Sequence, residues 1–364
     1  MKTILVLRHI PRANGYTAGL TDRVVAGARK AGAQVTDVDL TAMTIHDCRG
    51  CFHCWTVDPG TCVFDDDAAE VNRLILEHDI VLCCSPVYYY GVTAGLKRML
   101  ERTFPLSRHG SELTPRGYVR NSPRQPERWQ GKALGYLVAG ALRHPGNYEA
   151  IRQHFQLLAD GMSMGLCAEL VRPEAYFMHF AIARPKGVKL VEQALHQAGV
   201  ELATAGAVSP ATSDQVQLQF SDDPEHFARH GAVYWEHAAQ LAHEGVLDPV
   251  RVQESVMADM RVLMREMARC CDPDATADVE AVLQFDFPDQ NLHVRLTLDH
   301  GRCAVDEADG DDCDLRVTVD ADVWARVLTR QLDAREALAR RRIRLDGDKA
   351  LFSRLPRYFP PPTG

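Results

Sequence analysis

The chain has 364 residues, of which 46% are hydrophobic and 25% charged, and its formal net charge is −8. This length suits two domains, the composition is that of a globular protein, and the acidic balance argues against nonspecific nucleic-acid binding. The apolar start of the chain ends at Arg8 and is too short to span a bilayer. Eleven cysteines without a signal peptide fit a reducing compartment, so we expect a cytoplasmic protein.

Short apolar runs alternate with helical patterns over the first 205 residues. Buried strands are predicted at residues 2–7, 34–40, 80–84, 132–139 and 167–171. Helices are predicted at residues 17–31, from the acidic run 65–67 to about 78, after the turn at 85–91, and at 146–159 and 188–205. This alternation predicts an α/β fold with an open, doubly wound parallel sheet. Ligands bind such sheets at the carboxyl ends of the strands, here the loops 9–17, 48–62, 85–91 and 139–146.

The loop after the second strand carries four cysteines within fifteen residues: Cys48, Cys51, Cys54 and Cys62. Such a run in a cytosolic protein favours a metal or cluster site over a disulfide framework. Three thiolates two residues apart, with a fourth a short loop away, would wrap a cubane iron–sulfur cluster. Zinc also accepts four sulfurs, although structural zinc sites more often pair two CxxC knuckles across a longer loop. Unmetallated cysteines that pack as small hydrophobes are the remaining alternative.

Two other loops have chemistry of their own. The stretch PRANGYT, residues 11–17, lies between a strand and a helix and would aim backbone N–H groups and hydroxyls at a phosphate. The loop 85–91 carries three tyrosines beside a proline and a glycine, which suits a flavin ring, and simple packing on the core is the alternative. The segment 106–130 is rich in Pro, Arg and Ser and predicts a long loop, either a lid or arm to a partner subunit or a disordered insert.

Beyond residue 205 the pattern changes. An irregular piece at 206–224 precedes a helix at 226–244, and we place the domain boundary at 206–250. Short strands at 279–287, 292–298, 301–306 and 315–320, with turn residues between them, predict antiparallel hairpins. Helices at 321–329 and 334–340, a strand at 342–345 and a helix at 348–355 complete a smaller α+β domain. The predicted organisation is a first domain at 1–205, a linker and helix at 206–250, and a last domain at 251–361.

Taken together, the loops of the first domain resemble the NAD(P)H-dependent FMN reductase family of flavodoxin-like proteins. The segment SPVYYYGVTAGLKRMLER, which starts at Ser85, is similar to that family's third segment. The pattern CxxCxxCx7C resembles the iron–sulfur flavoprotein branch, whose compact motif binds a [4Fe–4S] cluster next to FMN. In the first loop, His9 and Ile10 stand where the family has Gly and Ser, so one phosphate-binding hydroxyl is missing, and Tyr16 replaces a usual Asn.

This resemblance implies a set of binding residues and cofactors. The cluster would be held by Cys48, Cys51, Cys54 and Cys62. The FMN phosphate would be held by Arg12, Asn14, Tyr16 and Thr17. The flavin ring would be lined by Pro86, Val87, Tyr88, Tyr89, Tyr90 and Gly91, and its other side closed by Ala139, Gly140 and Gly146. Candidate proton donors are His109, His144 and His154, for each of which a solvated or core histidine is the alternative.

The function that the resemblance implies is an iron–sulfur flavoprotein oxidoreductase. Electrons would come from ferredoxin or NAD(P)H and pass to an apolar or aromatic, quinone-like small molecule. The family favours a homodimer or homotetramer. The alternatives are an NAD(P)H-dependent FMN, quinone or azo/nitro reductase without a cluster, and a carrier protein in which the first domain serves assembly.

The C-terminal stretch from Cys313 to Leu355 resembles the sterol carrier protein family, that is, the type-two sterol-binding domain, and the resemblance extends over about residues 251–361. It implies a domain that encloses an apolar tunnel for lipid-like molecules. An interaction or dimerisation module with a filled core is the alternative.

Overall fold

A computed structural model of the chain describes residues 2–179, 185–221, 224–246, 248–328 and 331–360. The chain divides into two compact units. The first unit comprises Met1–Met178 and Gly187–Asp222, and the second comprises His179–Lys186 and Asp223–Gly364. Within the described residues, no helix combines the length and the apolar character that crossing a bilayer requires.

The first unit contains a parallel sheet and a separate hairpin. Its strands are β1 (Thr3–Arg8), β2 (Gln34–Asp39), β3 (Ile80–Pro86), β4 (Ser107–Leu113), β5 (Val119–Pro123), β6 (Ala133–Ala139) and β7 (Gly165–Arg172). Five of them pair in parallel in the order β2-β1-β3-β6-β7, and β4 pairs with β5 in antiparallel orientation. This sheet order is that of the flavodoxin-like doubly wound fold. The predicted fold class is therefore confirmed.

Seven helices are described in this part of the chain: α1 (Tyr16–Lys30), α2 (His53–Thr56), α3 (Ala68–Glu77), α4 (Ala94–Glu101), α5 (Glu149–Gly161), α6 (Pro185–Thr204) and α7 (Pro210–Val216). Two of them, α1 and α6, approach each other closely through glycines. A Cβ atom on Gly27 would lie 1.9 Å from the carbonyl oxygen of His196, and one on Gly199 would lie 2.0 Å from that of Val24. Their backbones touch because neither glycine has a side chain.

Two sequence-based predictions for the first unit are wrong. The segment 106–130 is not a long loop, because it contains β4, β5 and a 3-10 turn at Pro126–Trp129. Both strands are largely exposed and polar, so they lack the apolar alternation that identifies a strand. The piece 206–224 contains α7, whose start is marked by Ser209, a side chain that accepts a hydrogen bond from the N–H of Thr212.

The second unit is a mixed sheet with helices. Its strands are β8 (Glu280–Phe287), β9 (Leu292–Asp299), β10 (Arg302–Asp306), β11 (Leu315–Val319) and β12 (Ile343–Gly347), in the order β10-β9-β8-β11-β12. Its helices are α8 (Pro224–His243), α9 (Pro249–Ala258), α10 (Met260–Arg269), α11 (Ala321–Leu328), α12 (Ala334–Ala339) and α13 (Lys349–Tyr358). The predicted smaller α+β fold is confirmed. The predicted hairpins hold for β8 to β10, but β11 pairs with β8 in parallel.

Large side chains occupy the space between this sheet and its helices. Trp324 packs against Phe285 and Phe352, with ring centroids 5.1 and 6.3 Å apart. The indole N–H of Trp324 donates to the Sδ atom of Met264, at 3.2 Å. Met264 shares the buried face of α10 with two more methionines. Flexible methionine side chains fill irregular gaps of this kind.

Candidate functional site

The four cysteines of the loop after β2 gather around one pocket of the first unit. Gly50 and Phe52 both adopt left-handed backbone conformations, with φ of 64° and 53°, and turn the chain tightly before α2. The loop is closed by a backbone hydrogen bond from the N–H of Gly60 to the carbonyl of Cys54, at 2.9 Å. The pocket is lined by all four: Cys48, Cys51, Cys54 and Cys62.

The cysteines differ in exposure and in acidity. Cys54 is buried, and burial raises the pKa of its thiol, as does the proximity of Cys62. Cys51 is exposed, and a hydrogen bond from the backbone N–H of His53 lowers the pKa of its thiol, with a smaller contribution from Arg49. N–H groups directed at sulfur are also the contacts that tune the potential of iron–sulfur clusters. The loop therefore already stabilises a thiolate at its exposed edge.

The chemistry of the donor set bears on which group the pocket could bind. Four cysteine thiols line it, and four thiolates are the ligands that a [4Fe–4S] cluster takes. A structural zinc ion accepts the same four sulfurs. The residues present therefore fit either group.

A buried ion pair lies beside the pocket. Arg102 donates to the two carboxylate oxygens of Asp66, at 2.7 and 2.9 Å, and also to the Sγ atom of Cys62, at 3.2 Å. The side chains of Arg102 and Asp66 are 2% and 1% exposed. Burial alone would raise the pKa of Asp66, but hydrogen bonds from Arg102 and from the backbone N–H of His46 hold it well below its usual range. The same guanidinium therefore connects the buried ion pair to the cysteine pocket.

Sequence reasoning missed both members of this pair. Asp66 belongs to the acidic run 65–67 at which a helix was predicted to begin, and its carboxylate does accept from the backbone N–H of Ala68, at 3.2 Å. Its main partner is Arg102, which is 36 positions away in sequence. A signal was present, because Arg102 is the last residue of the segment that resembles the family's third motif.

Two aromatic rings, those of Phe52 and Phe104, line one side of the pocket. Trp55 packs against both, and the three ring centroids lie 5.2 to 6.3 Å apart. The indole N–H of Trp55 donates to the carbonyl of Phe104, at 2.9 Å, which fixes the loop against the chain after α4. This aromatic group therefore supports the cysteine loop on that side.

The hairpin β4–β5 braces the cysteine loop through one arginine. Arg124, which follows β5, donates to the carbonyl of Cys54, at 3.0 Å. It also donates to the carbonyls of Pro105 and Ser107, both at 3.1 Å. The guanidinium therefore joins the cysteine loop to the start of β4 and to the end of β5. The insertion that sequence reasoning read as a lid, an arm or a disordered segment is part of the site's support.

The candidate phosphate-binding residues lie between β1 and α1. The N–H of Gly15 donates to the carbonyl of Arg12, at 2.9 Å, and closes a turn just before the helix begins at Tyr16. Arg12 and Asn14 are exposed, whereas Thr17 is buried. A helix N-terminus offers unpaired N–H groups to an anion. The exposed side chains of this loop are free to turn toward such a ligand.

The tyrosine loop after β3 is a tight and strained turn. The N–H of Tyr88 donates to the carbonyl of Gly91 and the N–H of Gly91 donates back, at 2.9 and 3.0 Å. Both central residues, Tyr89 and Tyr90, have left-handed φ values of 47° and 64°. Such turns normally take Asn-Gly, and a bulky residue there costs about 1–2 kcal/mol. All three tyrosines are exposed, and strain combined with exposed rings is typical of a ligand-binding loop.

The fourth loop, after β6, joins the third. The N–H of Val87 donates to the carbonyl of Ala139, at 2.8 Å. A Cβ atom on Gly140 would lie 2.7 Å from the hydroxyl oxygen of Tyr148, so glycine is required there. The N–H of Gly146 donates to Nδ1 of His144, at 3.1 Å.

The sheet order brings these loops to one edge. Because β1, β3 and β6 are neighbours, the loops that follow them adjoin, and the cysteine loop follows β2 at the same edge. All the flavin-binding candidates lie on these three loops, and their contacts with a flavin stay predictions. The candidate proton donors are scattered: His109 is exposed on β4, His144 holds Gly146, and His154 lies in a separate cavity.

Two family models match separate parts of the chain. Residues 3–171 match the NADPH-dependent FMN reductase family, and residues 265–359 match the SCP-2 sterol transfer family. Both resemblances inferred from the motifs are therefore confirmed. The first match includes the cysteine loop and the three flavin-loop candidates, and the second includes the sheet of the second unit.

Two relatives are named iron-sulfur flavoproteins. An iron-sulfur flavoprotein from Archaeoglobus fulgidus is 35% identical over 105 residues, which are 29% of this chain and 46% of that protein. Another from Methanocaldococcus jannaschii is 29% identical over 143 residues, 39% of this chain and 64% of that protein. The chain spans less than two thirds of the length of either relative. An FMN-dependent NADH-azoreductase from Bacillus anthracis superimposes with a TM-score of 0.42 and 10% identity over 57% of this chain and 100% of that chain.

Proposed function

We propose that this chain, in which an SCP-2 sterol transfer domain follows an NADPH-dependent FMN reductase domain, is an FMN-dependent oxidoreductase that holds a [4Fe–4S] cluster. The observation that carries the proposal is the single pocket that all four motif cysteines line. The names of the two relatives support it. The cluster ligands would be Cys48, Cys51, Cys54 and Cys62.

FMN would supply one- and two-electron chemistry and the cluster one-electron chemistry, so together they would connect a small organic substrate with a one-electron carrier such as ferredoxin. The protein's own residues would bind the cluster and tune its cysteine ligands. Arg102 donates to the Sγ atom of Cys62. The backbone N–H of His53 lowers the pKa of Cys51 and so favours the thiolate form that binds iron. The rings of Phe52 and Phe104, which line the pocket, would shield the cluster on one side.

The FMN site would be formed by the three loops at the neighbouring strand ends. Arg12, Asn14, Tyr16 and Thr17 would hold the phosphate at the N-terminus of α1, where the helix dipole favours an anion. The flavin ring would lie against the loop 86–91, with the loop 139–146 on its other side. NAD(P)H is the other electron donor that we propose, and the assembly would be a homodimer or homotetramer. The substrate would be an apolar or aromatic, quinone-like molecule that the SCP-2 domain delivers.

The deciding experiment is the measurement of iron, acid-labile sulfide and FMN per chain on protein purified without oxygen. About four irons, about four sulfides and about one FMN are expected if the proposal is right. FMN without iron or sulfide would contradict the cluster and leave a cluster-free FMN or quinone reductase, an activity that the first family match also supports. Protein with neither cofactor would contradict the proposal and favour a carrier.

The strained tyrosine turn gives a test of the flavin site. Changing Tyr89→Asn and Tyr90→Gly together restores the residues that this turn prefers, so apoprotein stability should rise by about 1–2 kcal/mol. FMN affinity should fall about tenfold, because two aromatic rings that would pack on the flavin are lost. Urea unfolding of the apoprotein and titration with FMN measure the two effects.

The matched control is Tyr118→Asn, which removes an exposed tyrosine between β4 and β5, outside the three loops. This control should leave FMN affinity unchanged. If the double variant bound FMN as tightly as the wild-type protein does, the tyrosine loop would not be part of the flavin site.

A further inference from the structure

A second cavity of the first unit lies between α4, α5 and the hairpin β4–β5. Its volume is about 360 Å³, within the range of small-molecule sites. The walls are mainly apolar, with Leu100, Leu106, Leu158 and Met162 among the lining residues. None of its lining residues belongs to the candidate flavin loops or to the cysteine loop 48–62.

Two buried polar groups of this cavity have no partner among the described residues. The indole N–H of Trp129, a residue only 3% exposed, makes no hydrogen bond, and neither does the Nε2 atom of His154. Both residues line the cavity. An indole N–H can only donate, so its missing partner must be an acceptor. Buried polar atoms without partners are rare, and each indicates a missing water or ligand.

The surroundings of His154 favour its neutral form. Burial lowers the pKa of its imidazole, and the positive charge of Lys97 lowers it further. A neutral imidazole nitrogen donates or accepts a hydrogen bond according to its tautomer. The cavity therefore offers one fixed donor, the indole N–H of Trp129, and one group of either role, the imidazole of His154. The imidazole can donate to a carbonyl oxygen of a ligand or accept from its hydroxyl.

The cavity shares a wall with the cysteine pocket. Glu101 and Phe104 line both. Phe104 also belongs to the aromatic group beside the cysteine loop, and its ring centroid lies 5.4 Å from that of Trp55. A molecule in the cavity would thus lie one layer of side chains away from the proposed cluster.

We propose that this cavity binds a planar aromatic dione or its hydroquinone, with an oxygen accepting from Trp129 and an oxygen facing His154. This assignment rests on the proposed function, since it gives the quinone-like substrate of that reductase a place beside the cluster. The apolar walls suit fused rings, and the two buried nitrogens suit oxygens that are carbonyls when oxidised and hydroxyls when reduced. Two cations line the cavity, and each is paired: Lys97 with Glu101, and Arg120 with Glu112. Among the described residues that line it, no unpaired cation would therefore select a charged ligand.

The test is calorimetric titration of oxidised, cofactor-loaded protein with 2-methyl-1,4-naphthoquinone, and with 2-methylnaphthalene as a probe that lacks both oxygens. Wild-type protein should bind one quinone per chain and should bind the hydrocarbon more weakly. Trp129→Phe keeps a ring but removes the N–H, and it should weaken quinone binding about fivefold while hardly changing the affinity for the hydrocarbon.

A second variant fills the cavity instead. Gly161, the last residue of α5, lines the cavity and has nothing within 4 Å of the place where a Cβ atom would be. Gly161→Leu should weaken quinone binding more than tenfold without a loss of helix propensity. The matched control is Gly231→Leu in α8 of the second unit, another helical glycine with open space, and it should bind as the wild-type protein does.

The outcomes separate the two proposals, because iron and FMN are measured on the same preparations. Quinone binding that neither Trp129→Phe nor Gly161→Leu changes would overturn the cavity assignment, whatever the cofactor content, and so would a wild-type protein that does not bind. Binding that both variants weaken, in a protein without iron, would support the cavity and contradict the cluster.

Discussion

Cys51→Ala is expected to remove most of the iron and acid-labile sulfide from the protein while FMN stays bound. Cys51 is exposed, so its side chain contributes little to packing, and the apoprotein should fold as before. Three remaining thiolates would leave one iron open to solvent at the edge of the pocket, where the cluster is oxidised and lost. Iron content should fall from about four to below about one per chain, and the visible spectrum should change from a broad brown absorption to two resolved flavin bands.

The control for this variant is Cys313→Ala. Cys313 is a half-buried cysteine of the second unit and lies outside the motif. Its replacement should leave iron, sulfide and FMN unchanged. Wild-type iron content in Cys51→Ala would exclude Cys51 as a ligand and would return the cysteine loop to a structural role.

Arg102→Leu is expected to destabilise the first unit by about 3–5 kcal/mol, because Asp66 would remain buried without a cation. The arginine also satisfies the carbonyl of His46, at 2.8 Å. Urea unfolding followed by the release of flavin fluorescence, at saturating FMN, measures the loss. Arg98→Leu is the matched control, since Arg98 is one turn earlier on α4 and pairs with an exposed Asp47. It should cost less than about 1 kcal/mol.

The same pair predicts a dependence on pH. The folded pKa of Asp66 lies below its ordinary value of 3.8, so its charge contributes stability above that pH, and the contribution is lost as the pH falls toward the folded pKa. In Arg102→Leu, burial raises the pKa of Asp66, and the sign reverses: acid neutralises the unpaired carboxylate. The difference in stability between the two proteins should therefore shrink between pH 7 and pH 4. A difference that stays constant, or one below about 1 kcal/mol at pH 7, would contradict this role for Arg102.

The strands β1, β3 and β6 were predictable because they are buried on both faces. β3 is apolar and buried from Ile80 to Cys84, and such runs stand out against the amphipathic helices between them. The hairpin β4–β5 gave no such signal, since most of its residues face solvent. The parallel pairing of β11 with β8 was also unpredictable from local pattern. It depends on which strand edge is free after β8, β9 and β10 have paired, and not on the turn residues.

For the site, the cysteines were recognisable from their spacing alone, because four ligands of one type within one loop leave few structural explanations. The groups that hold the loop were not recognisable. Arg124 contacts the carbonyl of Cys54 across 70 positions, and Arg102 contacts Cys62 across 40. A single arginine in a sequence does not indicate which distant carbonyl or thiol it will contact in the folded chain. The cavity between α4, α5 and the hairpin was equally hidden, since it exists only where three separate segments meet.

The brace that Arg124 forms has a consequence for protein engineering. A designer who grafted residues 48–62 alone onto a plain flavodoxin-like scaffold would transfer all four cysteines but not the carbonyl-binding guanidinium that holds Cys54. The aromatic support of Trp55, which hydrogen-bonds to the carbonyl of Phe104, would be lost as well. The transferable module is therefore discontinuous: the cysteine loop together with the chain from Arg102 to Arg124. We expect related proteins either to have both segments or to lack both.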